Sequence, residues 1–248
     1  MIWPWTPPHQ SSHIESWTIL TEEDRESRIN QLLDTIEESR TLSIGTLDQL
    51  DGLMELYETD ALSIERLKLI TSVVACGRVN PGVNHPHLAH AMSRLVNWLM
   101  KQTDWVNAEG TALEVIQWYE RGGKAIAQGT SDDTAVKIHL CDIYLYQERW
   151  QDAENAIRRL KKTEPSNNKL VHSLANEKLA RTLLAQGLND EAAPILKKLI
   201  GSRETIKLWI FFNALCLQGE VFLIRGEDDL AAQFFEAAMT MLEQEGLW

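Results

Sequence analysis

Residues 140–165 read LCDIYLYQERWQDAENAIRRLKKTEP, and two later stretches follow the same plan, LARTLLAQGLNDEAAPILKKL at 179–199 and GEVFLIRGEDDLAAQFFEAA at 219–238. Their central alanines, Ala153, Ala192 and Ala231, are spaced by 39 and 39 residues. In the first copy Leu140, Cys141, Tyr144, Gln147 and Trp150 lead into Ala153, Ile157, Leu160 and Pro165. In the second, Leu179, Ala180, Leu183, Gln186 and Gly187 lead into Ala192, Leu196 and Leu199; in the third, Gly219, Phe222 and Gly226 lead into Ala231, Phe235 and Ala238. Apolar residues recur every three to four positions, the spacing of one helix face. No segment of the chain shows the strict alternation of a strand. The fold class that follows is all-α, built from a repeated supersecondary unit.

The pattern resembles the tetratricopeptide repeat, a helix–turn–helix unit. There a small residue of helix A faces an alanine of helix B, an aromatic follows later in each helix, and a proline follows helix B. Cys141, Ala180 and Gly219 stand at the small helix A position. Small residues let two antiparallel backbones approach, while large ones fill the groove between hairpins. A degenerate fourth copy precedes these, with Leu95, Leu99, the run Lys101-Gln102-Thr103-Asp104-Trp105 and Ala108, whose alanine lies 45 residues before Ala153. The resemblance covers about 89–245 and implies an α-solenoid of antiparallel helical hairpins wound into a right-handed superhelix. The family period is about 34 residues, so a spacing of 39 predicts helices longer by about one turn per unit. The proline after helix B appears in the first copy alone. Pro194 falls inside the second helix B, where it costs a backbone hydrogen bond unless it occupies the first turn. Longer repeats of this kind resemble those of peptide-sensing regulators and of kinesin-light-chain-like scaffolds, and no DNA-binding helix-turn-helix is evident.

Upstream, the spacing predicts further helices. Ile29, Leu32, Leu33 and Ile36 form one stripe, with Thr21 as N-cap and Asp24 three residues later. Thr46 and Gln49 make a capping box before Leu47, Leu50, Met54 and Tyr57. A third helix over about 62–76 carries Leu67, Ile70 and Val74. Arg78 to Pro86 reads as a loop because it holds Pro81, Gly82 and Pro86. Then come a helix with Leu88, Met92, Leu95 and Leu99 on one face, and another over about 107–127 that stops near Gly129. Ser131, Asp132 and Asp133 mark the next start. Residues 1–20 differ: Pro4, Pro7 and Pro8 sit among Trp3, Trp5 and His9, so this stretch is read as an extended arm lying across its own domain or a neighbouring subunit. The expected organisation is an arm at 1–20, an acidic helical region at 21–84 and a repeat region at 85–248.

Charge narrows the function. Acids outnumber bases by 36 to 24, and the net charge of −12 argues against nucleic acid as the main partner. Residues 1–60 alone hold 13 acids and 3 bases, an acidic block that reads as a solvated helical face or as a docking surface for a basic partner. Cys76, Cys141 and Cys216 lie far apart with no CxxC, so they read as buried thiols of a reducing compartment rather than a disulfide framework or zinc knuckle. The N-terminus lacks the basic and apolar regions of a signal peptide, and the expected location is cytoplasmic.

Sites of chemistry are scarce. GxSxG, a Walker loop, HExxH and a GxGxxG following a strand are all missing, and Gly122-Gly123-Lys124 sits in a helical pattern. His85, His87 and His90 cluster, with His87 and His90 one turn apart, but no acidic partner accompanies them. They read as surface histidines at a helix N-terminus, so no metal and no cofactor is expected. Residues 206–224 are apolar nearly all round. Asn213, Gln218 and Glu220 argue against a membrane span, leaving a helix buried on two sides or a homodimer face.

The resemblance implies that helix A residues line a concave face. On the inferred register these are Ile138, His139, Asp142, Leu145 and Tyr146, then Leu174, Glu177, Lys178 and Arg181, then Asn213, Cys216, Leu217 and Glu220. Relatives that clamp a C-terminal carboxylate use a lysine and an asparagine there. The matching positions here hold Ile138 with Asp142, Glu177 with Arg181, and Cys216 with Glu220, so that clamp is missing. The groove residues singled out are His139, Asp142, Tyr146, Lys178, Arg181, Asn213 and Glu220. The expected function is a non-catalytic adaptor holding a peptide or helix of another protein, oriented by Lys178 and Arg181. The alternative is a regulatory sensor whose repeats close on a small ligand or signalling peptide.

Overall fold

A computed structural model of the chain describes residues 86–123 and 132–244, together with scattered helical positions between 27 and 75. The expectations for the arm at 1–20, the stripe at 29–36, the capping box at Thr46, Cys76, His85 and Gly129 lie outside the described residues. Within the predicted third helix, Ile70 and Val74 are helical and buried. Contacts divide the chain into two compact units, Met1–His139 and Leu140–Trp248. Every described element is a helix.

In the first unit, α1 (Pro86–Lys101) packs against α2 (Trp105–Trp118). Pro86 proves to be the first residue of α1 rather than loop, a position where its missing N–H costs nothing. Leu88, Met92, Leu95 and Leu99 are all buried, and α2 presents Ala108, Ala112, Val115 and Ile116. The helix expected to run over 107–127 gives way at Tyr119 to a π-helical turn, Tyr119–Gly123, that ends on two glycines. The helix starting at Asp132, α3 (Asp132–Tyr146), spans the boundary between the units.

The second unit continues with α4 (Trp150–Thr163), α5 (Lys169–Ala185), α6 (Asn189–Ile200), α7 (Leu208–Ile224) and α8 (Asp228–Gln244). From α4 onward successive helices pack together, α5 on α4 and α6, α6 on α7 and α7 on α8, and α5 also meets α7. This nearest-neighbour order is that of a solenoid. Cys141, Ala180, Ala153, Ala192 and Ala231 have no exposed surface. Gly219 shows why small residues are needed: a Cβ there would lie 2.7 Å from the ring of Phe235. α7 is buried on two sides, as its sequence suggested, with Phe211 and Leu215 meeting Ala238 and Met241 of α8.

Four turns share one geometry. Thr103, Glu148, Gly187 and Gly226 have φ of 59°, 57°, 75° and 73°. Each stands five residues before one of the alanines Ala108, Ala153, Ala192 and Ala231. In each, the next N–H returns to a carbonyl five residues back, Asp104 to Leu99, Arg149 to Tyr144, Leu188 to Leu183 and Glu227 to Phe222, at 2.8–2.9 Å. These are Schellman closures, in which a left-handed residue reverses the chain and satisfies the last helical carbonyls. The degenerate copy around Ala108 is therefore a full member of the repeat at backbone level.

The 39-residue period, expected from helices longer by about one turn per unit, divides unevenly in the structure. From the start of α5 to the start of α7, helix A takes 17 residues and helix B only 12. The remainder goes largely to the connection after Ile200, which holds a 3-10 turn at Arg203–Thr205. Pro194 is the sixth residue of α6, beyond the first turn, so the Asp190 carbonyl lacks its helical donor.

Candidate functional site

Helix A residues of the second unit come from the end of α3, from α5 and from α7. Sequence spacing places Asp142 and Tyr146 one turn apart, Glu177 and Arg181 one turn apart, and Asn213, Cys216 and Glu220 at i, i+3 and i+7. The structure separates these into an exposed layer and a buried one. Tyr146 is 56 % exposed, and Arg181 and Glu220 are exposed. Asp142, Asn213 and Cys216 are half-buried. Leu174, Glu177, Lys178 and Leu217, assigned to the same face by register, are buried. His139, with Ile138, lies at the end of the first unit and is half-buried there.

Lys178 is only 8 % exposed. Its Nζ donates to Oδ1 of Asp142 in a charge-assisted hydrogen bond that ties α5 to α3. Burial pulls the ammonium down, but the carboxylates of Asp142 and Glu177 outweigh it and hold Lys178 above its ordinary value. Arg181 Nη2 donates to Oε1 of the buried Glu177 at 2.8 Å. Burial opposes the Arg181 charge, and Glu177, then Asp142 and Glu220, more than offset it. The five charges thus form one network across three helices, and both cations are already matched by carboxylates of the chain itself. Thr182, also buried, returns its hydroxyl to the Lys178 carbonyl at 2.8 Å.

The thiols near this network are held protonated. Burial pushes Cys141 up to about 12, with Lys178 opposing. Burial, then Glu220, raises Cys216, with Arg181 opposing. A nucleophilic cysteine requires the opposite shift. His87 and His90 belong to α1, and among the described residues no three metal-ligating side chains converge. Among the described residues no helix is long and apolar enough to cross a membrane.

A second polar cluster escaped the sequence reading. Lys161 of α4, His172 and Asn176 of α5, and Lys198 of α6 line an open cleft of about 480 Å³. The only signal was the pair of basic runs Arg158 to Lys162 and Lys197-Lys198, each near the end of a helix B.

No protein-family model matches the chain, and neither does any curated protein. Solved structures do. BtubC (BKLC) from P. vanneervenii aligns with a TM-score of 0.65 at 10 % identity, over 92 % of this chain and 94 % of that one. A putative kinesin light chain of Podosopora anserina, described as nearly identical TPR-like repeats, aligns at 0.58 with 13 % identity, over 97 % and 100 %. MamA aligns at 0.53 with 16 % identity, over 84 % and 99 %. At such identities the likeness concerns the fold, and it agrees with the four turns of like geometry and the buried small residues. The chain has the tetratricopeptide-like repeat fold.

Proposed function

We propose that this chain is a non-catalytic protein-interaction scaffold that holds a peptide or helix of a partner against the helix A side of α3, α5 and α7. The observation that carries this reading is the exposed layer over a braced one. Tyr146, Arg181 and Glu220 are exposed on three alternate helices, α3, α5 and α7, and Asn213 and Cys216 of α7 are half-buried. Tyrosine and arginine are the side chains that most often anchor a bound partner. The Asn213 amide can both donate to and accept from a peptide bond.

Lys178 serves as an internal brace in this scheme. Its charge is spent on Asp142, so the orienting charge offered to a partner is that of Arg181, balanced by Glu220. Such a mixed face suits a polar or amphipathic segment better than a purely acidic one. Cys141 and Cys216 form no disulfide, which fits a reducing, cytoplasmic setting. The test is affinity capture from native lysate with the full chain and a Tyr146→Ala, Arg181→Glu variant. Stoichiometric protein retained by the parent and lost from the variant supports the assignment. Undiminished capture by a folded variant removes it.

A further inference from the structure

The cleft between the two B helices α4 and α6, floored by α5, is lined by basic and neutral side chains. Lys161 Nζ reaches across to donate to Oδ1 of Asn176 at 2.6 Å, and Lys198 of α6 faces the same space. His172 stands beside them, its Nε2 3.1 Å from the Pro165 carbonyl, and Ser166 adds a hydroxyl. No carboxylate lines the cleft among the described residues.

A purely structural account covers part of this. Lys161 and Lys198 lie in the last turns of their helices, where the macrodipole favours cations. That places a lysine on each helix, but it does not require the two to share one cleft without a counter-charge. Burial, then Lys198 and Arg158, press the Lys161 ammonium below its ordinary value. An anion in the cleft relieves that repulsion.

We propose that this cleft binds a small phosphate monoester, its phosphate between Lys161 and Lys198 and its organic part against Pro194 and Ile195. Two ammonium groups suit a dianion, the form a phosphate monoester takes above about pH 6. The volume, about 480 Å³, exceeds what one inorganic anion fills and lies in the range of small-ligand sites. The site is independent of the helix A face proposed for a protein partner.

The test is calorimetric titration and thermal unfolding of the full chain at constant ionic strength. The probes are adenosine 5′-monophosphate, glycerol 3-phosphate, inorganic phosphate, sodium chloride and phosphatidylserine vesicles. The expected result is saturable binding of at least one monoester, tighter than inorganic phosphate, with a rise in melting temperature that chloride does not reproduce. Lys161→Gln with Lys198→Gln should weaken it by about tenfold or more. Asn176→Asp, which sets a carboxylate against Lys161, should do the same and serves if the double variant misfolds. The Tyr146→Ala, Arg181→Glu variant should bind as the parent does. Lack of saturable binding, inorganic phosphate binding as tightly as the monoesters, or binding undiminished in the cleft variants overturns the proposal. Capture by vesicles without response to any soluble phosphate overturns it in favour of a membrane surface.

Discussion

Replacing Asp142 with asparagine removes the charge that holds the buried Lys178 ammonium. At an effective dielectric of about 20, two unit charges about 4 Å apart attract by about 4 kcal/mol, and desolvation of the ammonium cancels most of that. The net worth of the pair is therefore small, but the two single variants are not equivalent. The Asp142 side chain is 24 % exposed and the Lys178 side chain 10 %. In Lys178→Met the carboxylate can rehydrate, and the new side chain fills the same space. A cost of about 0–1 kcal/mol follows. In Asp142→Asn the ammonium stays buried with only Glu177 near it, and the loss is about 2–3 kcal/mol, below the usual cost of orphaning a buried charge because that second carboxylate remains. Urea unfolding at neutral pH with a common slope measures both, and the double variant Asp142→Asn, Lys178→Met should regain most of the loss. Equal effects of the two single substitutions, or no loss in Asp142→Asn, would refute the burial of Lys178. The pH dependence has a defined sign. Lys178 is raised on folding, so its contribution is complete below its unfolded value of about 10.4 and drains as pH rises through the folded one.

Cys141 adds a second alkaline loss. With its thiol raised from 9.0 to about 12 on folding, stability declines from pH 9 upward, by about 4 kcal/mol at pH 12, and Cys141→Ala should flatten that slope in pH-dependent melts. Gly219→Ala puts a methyl into the Phe235 ring and should cost about 1–3 kcal/mol, with Phe235→Leu restoring part of it in thermal unfolding; an unchanged melting temperature would deny the close approach. Glu148→Gly should stabilise by about 0.5–1 kcal/mol because residue 148 is left-handed, whereas Gly187→Ala in the equivalent turn should destabilise by a similar amount. Denaturant midpoints of the two variants moving in the same direction would contradict the shared turn geometry.

The repeat was legible because packing of antiparallel helices leaves a local signature. Small residues at Cys141, Ala180 and Gly219, and alanines at Ala153, Ala192 and Ala231, are demanded by close backbone approach, and their spacing survives in the one-dimensional string. The degenerate copy around Ala108 was harder to see because its turn uses Thr103, as the copy around Ala153 uses Glu148, where the other two use Gly187 and Gly226. A backbone constraint that several residue types can meet writes only a faint mark. Helix lengths were less legible still, since a period does not say whether its extra residues enter a helix or a connection.

The candidate sites divide along the same line. Sequence by itself determined an all-helical repeat, the helix A stripes bearing Asp142, Tyr146, Arg181, Asn213 and Glu220, and the two-sided burial of α7, because each depends on positions three or four apart in the chain. Only the tertiary structure decided that Lys178 turns inward to Asp142, 36 residues away, and that Lys161 meets Asn176, 15 residues away, opposite Lys198. A lysine has the same helical periodicity whether its ammonium ends in water or against a carboxylate of the next helix. Which of the two occurs depends on the shape and charge of the neighbour, and that is settled only when the helices stack.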